Sequence, residues 1–334
     1  MRPANRTPNR GRSCPKLQTS PCPAPGNIEP QHPSLITMIT FITSLRHPLT
    51  TSDYQSTLTM LRLTALSVLS CKLDGLRLVV VCNEVPHLGI VDNRLKFLPV
   101  PWPPPKPSEG QQKAYSHKSI DKGLKLSHAI RACREIDPEF VYVVDADDWV
   151  SGRVTEFVAE NRNCDGFYVD QGHFVNWQRK TYKQRRGLLD YCGSTYCAPY
   201  YSFCDLMPGI SECSERPGIE ELRAAIPEQF LERGFGDHTI PRLLRQHGRR
   251  LQPFPFFAAA WVMNHGENIY GLADSDRGRP FSPTFLQRYG LENELSCTIA
   301  AKSGSIKTLA IDQALYYKSS LDFALRRWRR QSRV

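Results

Sequence analysis

The chain has 334 residues, enough for one large or two small domains, with 40% hydrophobic residues and a formal charge of +10. The charge is concentrated at the ends: Arg2, Arg6, Arg10, Arg12 and Lys16 oppose only Glu29 in residues 1–34, and Arg326, Arg327, Arg329, Arg330 and Arg333 oppose no acid in the last nine residues. The body between is nearly neutral, which argues against a broad nucleic-acid surface, and no apolar stretch approaches the ~20 residues of a membrane span.

Residues 1–34 are rich in Pro, Arg, Asn and Ser without hydrophobic period, and a disordered leader is expected. Met38 opens ordered-looking sequence and is a candidate for the true start of translation. Ile36 to Ser44 reads as a buried strand, Gln55 to Cys71 as a buried helix, Leu76 to Cys82 as a second strand ending at Asn83-Glu84, and Leu95 to Val100 as a third. Five prolines between 101 and 107 then impose an extended loop. Ser119 to Glu135 has a helical period, and Phe140 to Val144 is a strand apolar on both faces. This alternation predicts an α/β fold with a mixed, mainly parallel sheet flanked by helices, covering residues 35–305.

Asp145-Ala146-Asp147-Asp148 follows that last strand directly. Three carboxylates in four positions repel one another unless water or a cation compensates them, and hard divalent ions favour such oxygens. In open α/β sheets ligands sit beyond the carboxyl ends of the strands. No Gly-rich phosphate loop is present, so a metal becomes the expected phosphate anchor. An acidic turn of this kind also occurs simply as solvated chain.

Farther on, Ser151 to Ala159 is helical in pattern and Asp165 to Asp170 strand-like, whereas the aromatic region from Phe174 to Phe203 has no legible topology. A helix from Ile219 to Arg233 is expected to split at Pro227, and Thr239 to Gln246 forms another, closed by Gly248. Arg250 to Phe254 and Ala258 to Met263 read as strands, and residues 306–334 as a terminal helix with a basic tail. The eleven cysteines are expected to be reduced, mostly buried thiols of a cytoplasmic protein. Cys192, Cys197, Cys204 and Cys213 lack the paired spacing of a zinc site.

Two further polar signals stand at element ends. Asp237 precedes the helix Thr239–Gln246, where an Asp also serves as an ordinary cap, and His265 follows the strand ending at Met263. With Asp145-Ala146-Asp147 similar to a D-x-D motif, Gly236-Asp237 to an x-E-D motif and His265 to a C-terminal metal-binding His, the chain resembles family-2-type glycosyltransferases of the GT-A fold over residues 36–270. The Glu of x-E-D is Gly236 here, and the first two strand ends depart from the family's patterns.

The resemblance implies a nucleotide-binding half merged with an acceptor half. It implies Mn²⁺ or Mg²⁺ held by Asp145, Asp147 and His265 against the diphosphate of a nucleotide-sugar donor, and Asp237 as the base for a glycan or lipid-linked acceptor hydroxyl. Inverting transfer follows from that arrangement. Lys122 is a candidate for the diphosphate, and Asn83 and Glu84 for the base or ribose. A sugar-phosphate nucleotidyltransferase is the nearest rival, disfavoured by the missing glycines between Thr43 and His47. A non-catalytic carbohydrate- or membrane-binding protein on the same scaffold is the other. The basic tail reads either as a peripheral contact with the inner face of an anionic membrane or as a solvated end.

Overall fold

The structure is a computed structural model that describes residues 38–106, 111–232, 235, 239–268, 278–298 and scattered helical positions between 314 and 325. The leader, Asp237, most of the terminal helix and the basic tail therefore lie outside the described residues.

The first half follows the expected alternation. Strands β1 (Ile39–Ser44), β2 (Leu76–Cys82), β3 (Leu95–Pro99) and β4 (Phe140–Val143) enclose helices α1 (Tyr54–Leu69) and α2 (Gln111–Ile136). After β4 come β5 (Trp149–Val150), α3 (Val154–Glu160), β6 (Phe167–Tyr168), β7 (Gln171–Asn176), β8 (Thr181–Arg186) and β9 (Tyr196–Pro199). The remainder holds α4 (Tyr200–Leu206), α5 (Ile219–Ala225), α6 (Glu228–Glu232), α7 (Thr239–Gln246), β10 (Gln252–Pro253), β11 (Ala259–Met263), β12 (Arg279–Pro280), α8 (Pro283–Arg288) and α9 (Glu292–Leu295).

Two sheets result. The larger runs β10-β6-β9-β4-β1-β2-β3, parallel throughout β4-β1-β2-β3 and antiparallel on both sides of β9. The smaller runs β12-β8-β7-β11-β5, with only β7 and β11 parallel. The chain is thus mixed α/β with a mainly parallel central sheet flanked by helices, as its pattern predicts.

Strands β1, β2 and β4 bury both faces because apolar residues fill both parities. Phe41, Leu78, Val80 and Tyr142 pack on α1, whereas Ile42, Val79, Val81, Val141 and Val143 pack on the Leu126, Ala129, Ile130 and Cys133 side of α2. Asp53 caps α1, its side chain accepting from Ser56 N at 3.0 Å. Helix α1 also presents Met60 and Leu63 to a second apolar cluster with Trp149, Val262 and Phe285. It therefore fills the space between the two sheets, and Ser67 Oγ accepts from Val150 N at 3.1 Å.

Several elements depart from expectation. Helix α2 begins eight residues earlier than its apolar period, because Gln111 to Lys118 are mostly polar, with only Ala114 and Tyr115 between, and give no stripe to read. Arg250–Phe254 shrinks to the two-residue β10. Pro227 does divide its helix, into α5 and α6.

One buried base in α2 makes a testable contribution. His128 packs against Trp102 with ring centroids 6.0 Å apart, and burial, assisted by the Arg131 charge, lowers its pKa to about 4. The unfolded chain takes up that proton near pH 6.5, and the folded protein only near 4, so stability falls as pH drops through this window. His128→Gln is expected to remove about 2–3 kcal/mol of this pH-dependent loss, read as a flatter dependence of urea midpoint on pH between 4 and 6.5. A slope equal to wild type would refute the assignment.

Candidate functional site

The acidic stretch occupies the crossing between the two sheets. Strand β4 ends at Val143 in the larger sheet, and β5 begins at Trp149 as the edge of the smaller one, paired antiparallel with β11. Residues 144–148 must therefore span the junction. Trp149 pins the far side, fully buried among Trp177, Phe281, Phe285 and Tyr289 with centroids 5.9–6.5 Å away. Because β11 pairs with β5, the loop that follows β11 arrives over the same junction. This brings His265 to residues more than a hundred positions away in the chain.

The three carboxylates do not share one role. Asp145, Asp147 and Asp148 each offer an oxygen within 4.8 Å of the others. Asp148 is fully buried and turned inward: it accepts from Val262 N at 3.0 Å, Ser194 Oγ at 2.6 Å and Cys192 Sγ at 3.1 Å. Burial first, then the Asp147 and Asp145 charges, push its pKa well above the usual range. Asp148 thus ties β11 to the loop before β9, and both its oxygens are engaged.

Asp145 and Asp147 remain partly exposed. Lys122 Nζ lies 2.5 Å from Asp145 Oδ1, and Ser194 Oγ accepts from Asp145 N at 2.7 Å. His265 Nε2 lies 2.8 Å from Asp147 Oδ2, with the imidazole almost fully covered. Burial acts to raise Asp147, but the His265 contact and the Arg46 and Lys122 charges outweigh it and hold the carboxyl below its ordinary value.

Gly193 backs this arrangement. A Cβ there would sit 2.7 Å from Asp145 Oδ2 and 3.1 Å from Lys122 Nζ. Since the nearest atoms belong to side chains that can swing, Gly193→Ala is expected to keep the fold and displace the Asp145 carboxylate. Circular dichroism should be unchanged while Mn²⁺ affinity at the metal site proposed below falls about tenfold or more; unaltered affinity would count against Asp145 as a ligand.

The loop carrying His265 is tightly turned, with Asn264 at φ 60° and Gly266 at φ 98°. Asn268 closes it, accepting from His265 N at 3.0 Å and donating to Val262 O at 3.0 Å. On the opposite side, buried Lys125 donates to Leu45 O at 2.9 Å and to Asp121 at 2.8 Å, holding the turn after β1.

Of the residues singled out in the sequence, the structure gathers Asp145, Asp147, His265 and Lys122 at one place. Asn83 and Glu84 stand at the carboxyl end of β2 in the same sheet edge. The Asn83 amide donates to Trp102 O at 2.9 Å, which fastens the proline-rich loop, and its Oδ1 is buried without a partner; Glu84 is exposed. Asp237 lies outside the described residues, immediately before α7. Gly193, Ser194 and Cys192 were not legible as site residues, since they sit in the region whose topology has no pattern. Arg46 and Glu267 were visible only as polar residues in loops.

The donor set fits a hard divalent cation: two partly exposed carboxylates and one imidazole converge, and carboxylates crowded to this degree are stabilised by such a charge. Among the described residues this is the one acidic group that could hold an ion, and the nine described cysteines are free thiols, six of them buried. Among the described residues no helix is long and apolar enough to cross a membrane.

Fold and site together define a mixed α/β protein with an acidic centre at the carboxyl edge of its parallel strands. No family model matches the sequence, and no curated protein matches it. Among similar solved structures is the bifunctional IspDF from Campylobacter jejuni, at 11% identity and a TM-score of 0.31, covering 73% of this chain and 56% of that one. The chain thus spans little more than half of that protein. Another is the 4-diphosphocytidyl-2C-methyl-D-erythritol synthase from Anaerococcus prevotii, at 9% identity and a TM-score of 0.32, covering 78% of this chain and all of that one. Likeness of this degree assigns no activity.

Proposed function

We propose that the chain is a metal-assisted transferase acting at the diphosphate of a nucleotide-linked substrate. The observation that carries the reading is the convergence of Asp145 and Asp147 with His265 Nε2 and Lys122 Nζ beyond the carboxyl ends of parallel strands. Asp145, Asp147 and His265 would hold Mn²⁺ or Mg²⁺. The bound ion would supply charge neutralisation to a leaving diphosphate. Lys122 is placed to exchange Asp145 for a phosphate oxygen, and Asp148 keeps the crossing rigid so that both exposed carboxylates stay aligned.

Two forms of the reaction share this site. In glycosyl transfer, the form implied by the resemblance to GT-A glycosyltransferases, an acceptor hydroxyl oxygen bonds to the anomeric carbon of a nucleotide sugar as the bond from that carbon to the diphosphate breaks and nucleoside diphosphate leaves. Asp237 would take the acceptor proton, a contribution of ~10²–10⁴-fold. The turn from Ser44 to Thr50, which has no glycine, favours this form over one that wraps a triphosphate in backbone amides. In nucleotidyl transfer, a sugar phosphate attacks a nucleoside triphosphate and releases pyrophosphate. The cations Arg46 and Lys122 beside the acidic pair favour that second form, since negative charge grows on the phosphoryl and leaving-group oxygens there.

The product decides. Purified protein would be given nucleotide sugars, or nucleoside triphosphates with sugar phosphates, with and without Mn²⁺. Metal-dependent release of nucleoside diphosphate supports glycosyl transfer, and release of pyrophosphate supports nucleotidyl transfer. Release of neither overturns the enzymatic reading in favour of a binding protein on this scaffold. Within the glycosyl form, Asp237→Asn is expected to retain donor binding and lose turnover; full turnover would remove Asp237 from the base role.

A further inference from the structure

The His265 loop is fastened to the opposite side of the site chiefly through one carboxylate. Glu267 Oε1 accepts from Ser52 N at 2.7 Å, from Asp53 N at 3.0 Å and from the Ser52 hydroxyl. Its Oε2 pairs with Arg46 at 2.6 Å, and the same guanidinium donates to Glu267 O at 3.1 Å. Ser56 Oγ donates to His265 O at 3.3 Å. Ser52, Asp53 and Ser56 lie in and just before the first turn of α1, while Arg46 belongs to the turn after β1. Glu267 is thus two residues from the imidazole and more than two hundred from every group that holds it.

We infer that Glu267 is a positioning residue that seats His265 on Asp147 by latching its loop to the β1–α1 turn; this rests on the metal reading of the preceding section. The physical argument is one of restraint. Residues 264–268 include two left-handed positions and no strand partner beyond Met263, so the chain itself does not fix where the imidazole points. Asn268 closes the turn internally but connects it only to β11 and Asp147. Glu267 supplies most of the connection to the other wall, with both carboxylate oxygens engaged by a helix start and a guanidinium, beside the single Ser56–His265 bond. Outer groups that orient a metal-binding imidazole typically govern metal affinity as well as geometry.

The test uses the full chain. Mn²⁺ binding is followed by electron paramagnetic resonance for wild type, Glu267→Gln, Arg46→Met and the double variant. Backbone hydrogen exchange is followed at His265, Ser52 and Asp53 in the metal-free proteins. Glu267→Gln is expected to weaken Mn²⁺ binding by about 10–100-fold. It should also speed exchange at all three amides while leaving β4 protected. The double variant should be no weaker than the worse single one, since both break the same latch.

Wild-type Mn²⁺ affinity in Glu267→Gln, or strictly additive losses, would overturn the positioning role. A wild-type chain that binds no Mn²⁺ would instead overturn the metal reading. The exchange measurement then decides the latch alone: unchanged protection at His265 refutes it, and selective loss supports it.

Discussion

Replacing Asp147 with alanine is expected to abolish metal-dependent turnover and to weaken Mn²⁺ binding by on the order of 10²-fold or more, with little change in melting temperature. Asp147 is the carboxylate that meets His265, and it stays partly exposed while its neighbour Asp148 is buried. Its removal takes away one converging oxygen and leaves the imidazole without the group it faces. It relieves repulsion among three close carboxylates but also removes the favourable His265, Arg46 and Lys122 interactions that hold the Asp147 carboxyl below its ordinary value, so a small loss of stability is expected. Calorimetric titration with Mn²⁺ alongside thermal unfolding in chelator measures both quantities. A large drop in melting temperature with unchanged Mn²⁺ affinity would show Asp147 to be a structural residue instead.

The second large effect runs the other way. Asp148→Ala should destabilise the fold by about 3 kcal/mol, because it orphans Val262 N and the Ser194 hydroxyl in a buried setting and unties β11 from the β9 loop. Asp148→Asn keeps the shape: its carbonyl can accept from Val262 N, and its amide can donate to Ser194 Oγ and Cys192 Sγ. At low pH, where Asp148 is protonated in both states, it should lie within about 1 kcal/mol of wild type, and it should still bind Mn²⁺ if the proposed site is a metal site.

The pH dependence has a definite sign. Since the folded-state pKa of Asp148 is raised, the folded protein holds that proton more tightly than the unfolded chain does. This group's stabilisation is complete below the ordinary carboxylate value of 3.8 and is lost as pH rises from there toward the folded pKa. Asp148→Asn removes that loss, so denaturant unfolding in chelator should show the variant gaining on wild type with rising pH. A constant difference at all pH values would refute the raised pKa.

Legibility in the sequence followed the strength of the local signal. Strand β4 and its acidic loop could be read because an unbroken apolar run met three carboxylates, and α7 because its period, Pro241 and Gly248 agree with its observed span. The β7–β8 hairpin could not. Its turn places Lys180 at φ 52°, so no glycine or Asn-Gly pair marks it, and β8 is polar almost throughout. Helix α8 carries a local signal in its sequence: Ser282 caps Phe285 N at 3.2 Å and Pro283 opens the first turn.

What the sequence alone determined was the alternation of strands and helices through residue 143, the mainly parallel sheet, and the placing of Asp145, Asp147 and His265 at element ends. These depend on periodicity and caps, which are local. Only the tertiary structure decided that Asp148 is a buried tie and Asp147 an open carboxylate, since neighbouring residues of one type differ only in what packs around them. Only it, too, brought His265 to Asp147 and Glu267 to Arg46 and Ser52. Those contacts follow from the chain's crossing from β4 in one sheet to β5 in the other, where pairing with β11 carries a distant loop over the acidic turn.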